Sequence, residues 1–384
     1  MRAPIPVALA VRMPVLVAFC VLAAGLAAAD EPPLPPIDAK SYYLVDASSG
    51  AVLAESAAAE ELDPASLTKL MTAYLVFGAL DRGEVGIDDR VLVSEKAWRA
   101  PGSRMFIEVG SEVALGDLLR GLIVQSGNDA AIALAEHVSG TVEAFVEAMN
   151  RKALELGMTG TRYRNTSGLP ARDHVSTAKD TAVLARALID EFPQHYALYS
   201  EREFTFNQIT QHNRNALLWR DESVDGLKTG YTSAAGYCLV SSAERDGMRL
   251  IAVVFGASTA DARTESSMAL LDHGFGAYET HKLYSRGEAI AQARVYKGKR
   301  ELLALGPAAD VFVTVPRGAY ASLDASAALT ADLVAPLELY QAVGELAITL
   351  GGELVSVLPL VALETVQEGW LLTRMTDGVA LWLD

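Results

Sequence analysis

The sequence predicts an α+β fold in which an antiparallel sheet carries helices on its faces, followed by a small all-β sandwich domain. Two observations on the order of patterns support this. A strand pair near the start is followed by a helical region, three consecutive strand patterns and a further helix. After about residue 282 the helical periods vanish, and short runs rich in Val, Leu and Ala alternate with Gly and Pro. The 384 residues are 51% hydrophobic and 21% charged, an ordinary globular composition with room for two or three domains.

Residues 1–29 have the pattern of a secretory signal peptide. Arg2 and Arg12 precede an apolar stretch, residues 13–26, that is short for a membrane span, and residues 27–29 are small enough for cleavage. A retained N-terminal anchor is the alternative. Removing this segment takes away two arginines and no acid, so the net charge moves from −16 to about −18. A chain with this much negative charge is a poor candidate for binding nucleic acid, because the phosphate backbone is also negative.

Cys238 is the one cysteine that remains after such processing, which excludes a disulfide framework. The sequence contains neither a C-x-x-C nor an H-E-x-x-H motif, so we expect no metal and no other cofactor. Export without disulfides is typical of a bacterial envelope protein.

The first domain is predicted to span residues 30–280. The strands of a hairpin are expected at residues 42–46 and 51–55, and further strands at 224–230, 237–244 and 249–257. Arg245-Asp246-Gly247 supplies a tight turn between the last two strands. Helices are expected at residues 64–80, 115–139, 142–157, 176–191 and 261–273. The first and last strands are expected to meet in one sheet around the helical insertion.

A β domain is predicted at residues 281–366, from the runs 311–316, 328–337, 345–350 and 353–363. An amphipathic segment, residues 367–384, follows. On a helical wheel one face carries Leu371, Leu372, Met375, Val379, Trp382 and Leu383, and the opposite face carries Thr373, Arg374 and Asp377. Two interpretations stay open: a helix docked on its own β domain, or an interfacial membrane anchor.

The motif S-x-x-K occurs twice, and its context separates the two copies. Ser176 precedes an amphipathic helix and is interpreted as its N-cap, with Lys179 solvated in the first turn. Before the other copy, Asp63 is interpreted as the cap and Pro64 as the first helical residue.

This capping leaves Ser66 free inside the first turn, near unbonded N–H groups and the positive end of the helix dipole. Lys69 follows three positions later on the same face, where a neutral amine could take the serine proton. Ser66 is therefore a candidate nucleophile and Lys69 its candidate base.

A lysine base must be partly deprotonated near neutral pH, which burial and a second cation both favour. Lys228, in Lys-Thr-Gly, is the candidate second cation. Ser126, in Ser-Gly-Asn, can bridge the two lysines and pass a proton to a leaving group. Asn128 can hold Lys69 and a substrate amide through its donor and acceptor groups.

Lys228, Thr229 and Gly230 fall on a predicted strand, whose edge can pair with an extended peptide substrate. Gly230 leaves room for a close backbone approach. The N–H of Tyr231 is then placed to share an oxyanion hole with the N–H of Ser66.

The combination of S-x-x-K, S-x-N and K-T-G resembles the serine acyltransferases that include penicillin-binding proteins and serine β-lactamases. The chain is most similar to the low-molecular-mass D-alanyl-D-alanine carboxypeptidases. The likeness extends over QSGNDAAIALAEHVSG, TSGLPARDHVSTAKD, FTFNQITQHNRNALLW and VDGLKTGYT, and covers nearly the whole chain after residue 29.

The resemblance implies the transpeptidase-type fold and the release of the terminal D-alanine from peptidoglycan stem pentapeptides through an acyl-enzyme on Ser66. It implies covalent inhibition by penicillins, and substrate binding by Thr229, Gly230, Tyr231 and Thr232. It also implies that Arg263 receives the substrate carboxylate, although position alone would make this an exposed helix arginine. Pro101-Gly102-Ser103-Arg104-Met105 falls where the family has a loop beside the active site.

For the tail, the resemblance implies attachment to the periplasmic face of the inner membrane. The expected partners are therefore stem peptides, β-lactams and that membrane surface.

The sequence argues against three other functions. Class A β-lactamases, whose active site is similar, carry an E-x-x-L-N segment between the S-x-N and K-T-G motifs. This sequence has no such segment there. A non-catalytic binder of peptidoglycan or division proteins would have no reason to keep the whole motif set. A Ser-His-Asp hydrolase is disfavoured because no G-x-S-x-G elbow occurs, and the six histidines are expected to be core-edge or surface residues.

Overall fold

The computed structural model describes Val7–Ala10 and residues 33–383. The described residues form two compact units, one within Pro32–Gly276 and one within Ala277–Asp384 that also includes Val7–Ala10. The predicted signal peptide, apart from Val7–Ala10, lies outside the described residues.

The described helices are α1 Lys69–Asp81, α2 Glu95–Trp98, α3 Leu115–Ile123, α4 Asn128–Ser139, α5 Val142–Glu155, α6 Ala178–Glu191, α7 Pro193–Tyr196, α8 Leu217–Arg220, α9 Ala260–Ala277 and α10 Leu371–Leu383. Short 3₁₀ turns cover Ala65–Thr68, Ala197–Ser200 and Ala319–Ser322.

The described strands are β1 Val7–Ala10, β2 Ser41–Asp46, β3 Val52–Ser56, β4 Arg90–Leu92, β5 Glu112–Ala114, β6 Glu203–Phe206, β7 Ile209–His212, β8 Val224–Thr232, β9 Gly236–Arg245, β10 Met248–Ala257, β11 Tyr278–Tyr284, β12 Ala291–Tyr296, β13 Leu302–Pro307, β14 Val311–Pro316, β15 Leu323–Leu329, β16 Leu333–Val334, β17 Ala342–Leu350 and β18 Glu353–Ala362.

The first unit is built on a five-stranded antiparallel sheet in the order β3-β2-β10-β9-β8. The predicted meeting of the first and last strands is confirmed, because β2 pairs with β10 in the register Leu44↔Ala252. Asp246 and Gly247, at φ +51° and +79°, form the predicted tight turn between β9 and β10.

Both faces of this sheet are covered, as the alternation along its strands requires. Tyr43 and Val253 point into the large helical core. Leu44 and Leu250 point to the other face, where a side chain at Gly274 of α9 would meet them. The α+β arrangement predicted from sequence is confirmed.

The predicted helix over residues 115–139 is wrong as a single element. The structure has two helices, α3 and α4, and Ser126 between them lies at φ +64°, outside the helical region. The Ser126-Gly127 break lets a new helix start at Asn128, which places the Ser-Gly-Asn motif at a helix N-terminus. The hairpins β4–β5 and β6–β7 were not predicted at all.

Apart from α10 and a short 3₁₀ turn, the second unit consists of β-strands, as predicted. It has a seven-stranded sheet in the order β1-β15-β17-β18-β13-β12-β16 and the separate pair β11–β14. Val313 and Val315 of β14 share a buried cluster with Leu346 and Ile348 of β17, so the pair packs across the larger sheet. The run 328–337 does not form one strand: the end of β15, the two residues of β16 and an isolated bridge between Leu337 and Val366 pair within it.

Helix α10 contacts β12 through its polar face. Asp377 accepts a hydrogen bond from the N–H of Lys297 at 2.6 Å and lies 3.5 Å from Arg294. Leu371 and Leu372 are 73% and 78% exposed on the apolar face. Within the described residues, no helix combines the length and the hydropathy that crossing a bilayer demands.

Candidate active site

The segment that carries Ser66 is a tight turn. It lies between two other segments of the chain, the loop at Gly168 and strand β8 at Gly230. Ala65, which starts the 3₁₀ turn, has a φ of +45°. A side chain at Gly168 would overlap the carbonyl oxygen of Ala65, and one at Gly230 would come within 3.2 Å of the Ser66 nitrogen. Glycine at both positions therefore lets these two segments close around the nucleophile.

The predicted capping of this turn by Asp63 is wrong. The cap position falls on Pro64, with φ −76° and ψ −12°, and no side chain caps the turn. The chain has already turned at Pro64, so the 3₁₀ turn starts one residue later than predicted, and its first hydrogen bond runs from the Leu67 N–H to the Pro64 carbonyl at 3.1 Å. Ser66 still lies in the first turn, and Lys69 begins α1.

Lys69 is fully buried, and its amine lies within hydrogen-bond distance of three oxygen atoms. They are Ser66 Oγ at 3.1 Å, Asn128 Oδ1 at 2.7 Å and the carbonyl of Ser167 at 2.7 Å. The last two can only accept. A neutral amine that donates its two hydrogens to them has its lone pair left for the Ser66 hydroxyl.

The environment of this amine favours the neutral form. Burial, followed by the charge of Arg214, lowers the pKa of Lys69 to about 7, against a smaller opposing effect of Asp129. Burial also lowers the pKa of Lys228 well below its usual range, and the nearby charges of Lys69, Arg214 and Arg263 add to this. The site therefore gathers four basic side chains in a chain whose net charge is −16.

Ser126 and Asn128 flank the start of α4 and face the same space. Asn128 donates from Nδ2 to the carbonyl of Pro101 at 2.6 Å, which directs its Oδ1 to Lys69. The Ser126 hydroxyl is buried and has no hydrogen-bond partner among the described residues. The expected bridge between the two lysines is therefore not formed here, and Lys228 instead donates to the carbonyl of Thr229 at 3.3 Å.

Lys228, Thr229, Gly230, Tyr231 and Thr232 all lie on β8, the edge strand of the sheet as described. Lys228 and Thr229 are buried, whereas the Tyr231 side chain is 54% exposed. The predicted strand is confirmed, and Gly230 on it lies against the nucleophile turn.

Arg263 is buried, with 7% exposure, in the first turn of α9. Its guanidinium lies 5.9 Å from the ring centroid of Tyr237, and its Nε has no hydrogen-bond partner among the described residues. Burial lowers its pKa. An unpartnered buried guanidinium is a poor surface residue and a good anion receptor.

A cavity of about 360 Å³ joins these groups. Eight of the ten predicted site residues line it: Ser66, Ser126, Asn128, Thr229, Gly230, Tyr231, Thr232 and Arg263. The two lysines lie buried behind its wall.

Comparison with known proteins agrees with this geometry. The family model described as D-alanyl-D-alanine carboxypeptidase matches residues 27–259, and the model described as penicillin-binding protein 5, C-terminal domain, matches residues 278–368. The chain belongs to the D-alanyl-D-alanine carboxypeptidase family. Its enzyme class is that of a serine-type carboxypeptidase, and the family predicted from the motifs is confirmed.

Individual relatives cover most of the chain. D-alanyl-D-alanine carboxypeptidase DacC of Escherichia coli (strain K12) is 44% identical over 355 residues, 90% of this chain and 89% of the relative. The structure of penicillin binding protein 5 from Haemophilus influenzae has a TM-score of 0.85 at 41% identity and covers 87% of this chain and 99% of that one. Penicillin-binding protein D2 from Listeria monocytogenes, solved in its ampicillin-bound form, has a TM-score of 0.59 at 33% identity. The match covers 63% of this chain and 99% of that one.

The second S-x-x-K motif of this carboxypeptidase takes no part in the cavity. The interpretation of Ser176 as an N-cap is wrong by one residue, because Thr177 accepts the capping bond from the Asp180 N–H at 3.0 Å. Ser176 is buried instead against the hydroxyl of Thr161 at 2.9 Å, and Lys179 is exposed as expected.

Arg214 is a site residue that the motifs did not reveal. It lines the cavity and donates from Nη2 to Ser103 Oγ at 3.0 Å, and its charge acts on both lysines. Gly102 and Ser103 also line the cavity, in the loop expected beside the site. Arg214 sits in one of the family-like segments, which was the only signal available for it.

His174 contradicts the expectation that the histidines lie at the core edge or surface. It is buried, and its Nε2 lies 2.9 Å from the hydroxyl of Thr68, between Ser66 and Lys69 in sequence. The Arg164 N–H donates to Nδ1 at 3.0 Å, so Nε2 carries the hydrogen and donates to Thr68. Burial lowers the pKa of His174 to about 4, which keeps this support of the nucleophile turn neutral.

Proposed function

We propose that this enzyme removes the terminal D-alanine from peptidoglycan stem pentapeptides through an acyl-enzyme on Ser66. The observation that carries the proposal is the buried Lys69 amine 3.1 Å from Ser66 Oγ, with its other contacts made to acceptors only. Penicillins would acylate the same serine, in line with the ampicillin-bound relative.

Acylation starts with proton transfer from Ser66 to the neutral Lys69 amine. The pKa of about 7 leaves a substantial neutral fraction at physiological pH, and Asn128 holds the amine in place. Ser66 Oγ then attacks the carbonyl carbon of the penultimate D-alanine, and the C–N bond to the last residue breaks as the tetrahedral intermediate collapses.

The backbone N–H groups of Ser66 and Tyr231 are the proposed oxyanion hole. Gly230 brings β8 against the Ser66 nitrogen, which supports a shared donor pair at that point. The free edge of β8 offers further backbone groups to an extended substrate, with Thr229 and Thr232 beside it.

Arg263 is proposed to receive the terminal carboxylate, because its buried guanidinium lines the cavity without a partner on Nε. Ser126 is proposed to deliver a proton to the leaving amine, since its buried hydroxyl is equally unpartnered and lines the same cavity. Lys228 is proposed to serve as a buried hydrogen-bond donor near Lys69 and Arg263, with its amine bonded to the Thr229 carbonyl. Water then hydrolyses the acyl-enzyme.

Export to the bacterial periplasm and attachment to the inner-membrane surface are proposed with this function. The signal-peptide pattern supports export. The exposed apolar face of α10 supports attachment, since its polar face is already occupied by the β domain.

The decisive experiment compares wild type with Ser66→Ala. Wild-type enzyme should release D-alanine from a pentapeptide and become covalently labelled by a fluorescent penicillin, while Ser66→Ala does neither. Ser176→Ala is the matched control and should keep both. Labelling of Ser66→Ala would refute the assignment, and rapid turnover of nitrocefin would favour a β-lactamase instead. A cross-linked peptide dimer in the same assay measures any endopeptidase activity.

A further inference from the structure

Asp129 is a buried carboxylate, 1% exposed, that directly follows Asn128 in α4. It accepts hydrogen bonds from three consecutive backbone N–H groups: Met105 at 3.1 Å to both oxygens, Phe106 at 3.0 Å and Ile107 at 3.4 Å. Within the described part of the chain no lysine, arginine or histidine forms an ion pair with it. Apart from the Ala130 N–H of its own helix, this loop is what satisfies the carboxylate.

These bonds hold a strained backbone. Phe106 has a φ of +68°, a conformation that bulky residues rarely adopt, and its side chain is 45% exposed and so is not held by burial. In this conformation three backbone N–H groups point at one carboxylate and donate to it. An extended loop could not direct all three N–H groups to Asp129. The strain is thus tied to Asp129 rather than to packing of the ring.

The same loop forms one wall of the active-site cavity. Gly102 and Ser103 line it, as Ser66 does. Asn128 fixes this part of the loop, donating from its N–H to the Ser103 carbonyl at 2.7 Å and from Nδ2 to the Pro101 carbonyl. Both of the first two residues of α4, Asn128 and Asp129, therefore hydrogen-bond to this loop.

We infer that Asp129 is a positioning residue of the carboxypeptidase site: by holding the backbone of residues 105–107 it sets the position of the loop wall and, through Asn128, of the Lys69 amine. This inference rests on the proposed function. It adds a residue that touches no substrate and that the three motifs do not include.

The charge of Asp129 has a second effect on the site. It raises the pKa of Lys69, against burial and the charge of Arg214, which lower it. The charge of Lys69 in turn lowers the pKa of Lys228. Without the carboxylate, Lys69 becomes neutral at a lower pH.

The test compares Asp129→Asn with Asp180→Asn. Asp180 is a matched buried carboxylate, 6% exposed, in the first turn of α6. It accepts a hydrogen bond from the Gly160 N–H at 2.9 Å and does not line the active-site cavity. Asp129→Asn keeps the volume but replaces one acceptor oxygen with a donor. We expect it to lower the rate constant of acylation by penicillin, and kcat/KM for the pentapeptide, by about tenfold or more. Asp180→Asn should stay within about twofold of wild type on both measures.

Two further measurements separate positioning from general stability. Hydrogen exchange of the amides of residues 105–107 should accelerate in Asp129→Asn and not in Asp180→Asn. The acid limb of the acylation profile should move to lower pH in Asp129→Asn only.

A second variant covers the case in which Asp129→Asn does not fold. Phe106→Pro keeps the carboxylate, removes one donor at an exposed residue and cannot adopt a φ of +68°. It should slow acylation at least threefold when assayed well below its melting temperature, which is expected to fall because proline does not fit the native φ.

The inference is overturned if Asp129→Asn and Asp180→Asn lose similar stability and both acylate at the wild-type rate, or if Phe106→Pro acylates normally. Wild-type enzyme in the same assay keeps this outcome distinct from failure of the proposed function. If wild type itself is not labelled, the function is wrong. If wild type is labelled and the Asp129 variant is labelled equally fast, only the inference is wrong.

Discussion

The chemistry of this site is decided by the protonation of single side chains. Lys69 and Lys228 are buried together near two arginines, and burial is the largest cause of the lowered pKa of each lysine. A lysine in water would be charged at neutral pH and could not act as a base. The fold makes Lys69 a usable base by denying its ammonium form solvent.

Acylation by penicillin should therefore depend on pH. Below the Lys69 pKa of about 7 the amine is protonated, so the rate should fall about tenfold per pH unit, and above it the rate should level off. Arg214→Ala removes a charge that lowers this pKa, so its acid limb should move to higher pH. Stopped-flow labelling from pH 5 to 9 measures both limbs, and an unshifted profile for Arg214→Ala would contradict the assigned electrostatics.

Arg263 should determine the preference for a free terminal carboxylate. Arg263→Ala is expected to lower kcat/KM for the pentapeptide by about 10- to 100-fold, the range for a hydrogen bond to a charged group. A pentapeptide that ends in an amide should be a poor substrate for wild type and equally poor for the variant. Arg151→Ala, at an exposed position on α5, is the control and should match wild type. A variant that still discriminates between acid and amide would exclude the role.

At the scale of elements, the site depends on how closely β8 approaches the nucleophile turn. Gly230 is the contact point, because a methyl group there would come within 3.1 Å of Ala65 Cβ and 3.2 Å of the Ser66 nitrogen. The turn, the edge strand and the start of α4 come from distant parts of the chain. Their mutual distances are set by packing on the sheet.

Gly230→Ala should push β8 away from the turn and slow acylation by about tenfold, with only a small loss of stability. Gly276→Ala is the matched control, since Gly276 lies in α9 with open space around it. That control should keep full activity and gain about 0.5–1 kcal/mol of stability from helix propensity. Penicillin labelling and thermal melting test the pair, and normal acylation by Gly230→Ala would show that the close approach is not needed.

At the scale of the whole molecule, a catalytic unit is joined to an all-β unit that ends in α10. Trp370, Leu371, Leu372 and Met375 are 83%, 73%, 78% and 64% exposed, which is unusual for large apolar side chains close in sequence. The contact of Asp377 with β12 leaves this face outward. A membrane surface is the proposed partner of that face.

The mature full-length chain should sediment with lipid vesicles, and a variant with Leu371, Leu372 and Met375 changed to serine should remain in the supernatant. D-alanine release by both proteins should be equal, because the changes lie outside the catalytic unit. Leu302→Ser, at a 58% exposed residue of β13, is the control and should still bind. Equal sedimentation of wild type and the triple variant would reject α10 as the anchor.

The amino-acid sequence by itself determined the five strands of the main sheet, most of the long helices, the family, and the identity of the motif residues. Those properties depend on local periodicity and on residue types at short spacing, which a linear chain displays directly. It did not predict the hairpins β4–β5 and β6–β7 or the break between α3 and α4. The placement of Ser66 and Lys69 on one face follows from their three-residue spacing alone and does not depend on Asp63, which does not cap the turn.

Only the tertiary structure decided which polar groups are buried and what they contact. Arg263 in the first turn of a helix looked exposed, His174 looked ordinary, and Arg214 had no motif to mark it. Their burial, and the contact of Asp129 with residues 105–107, depend on segments 22 or more residues apart that meet only when the sheet and helices pack. Desolvation, which sets the lysine pKa values, is a property of that packing and is not encoded at any one position.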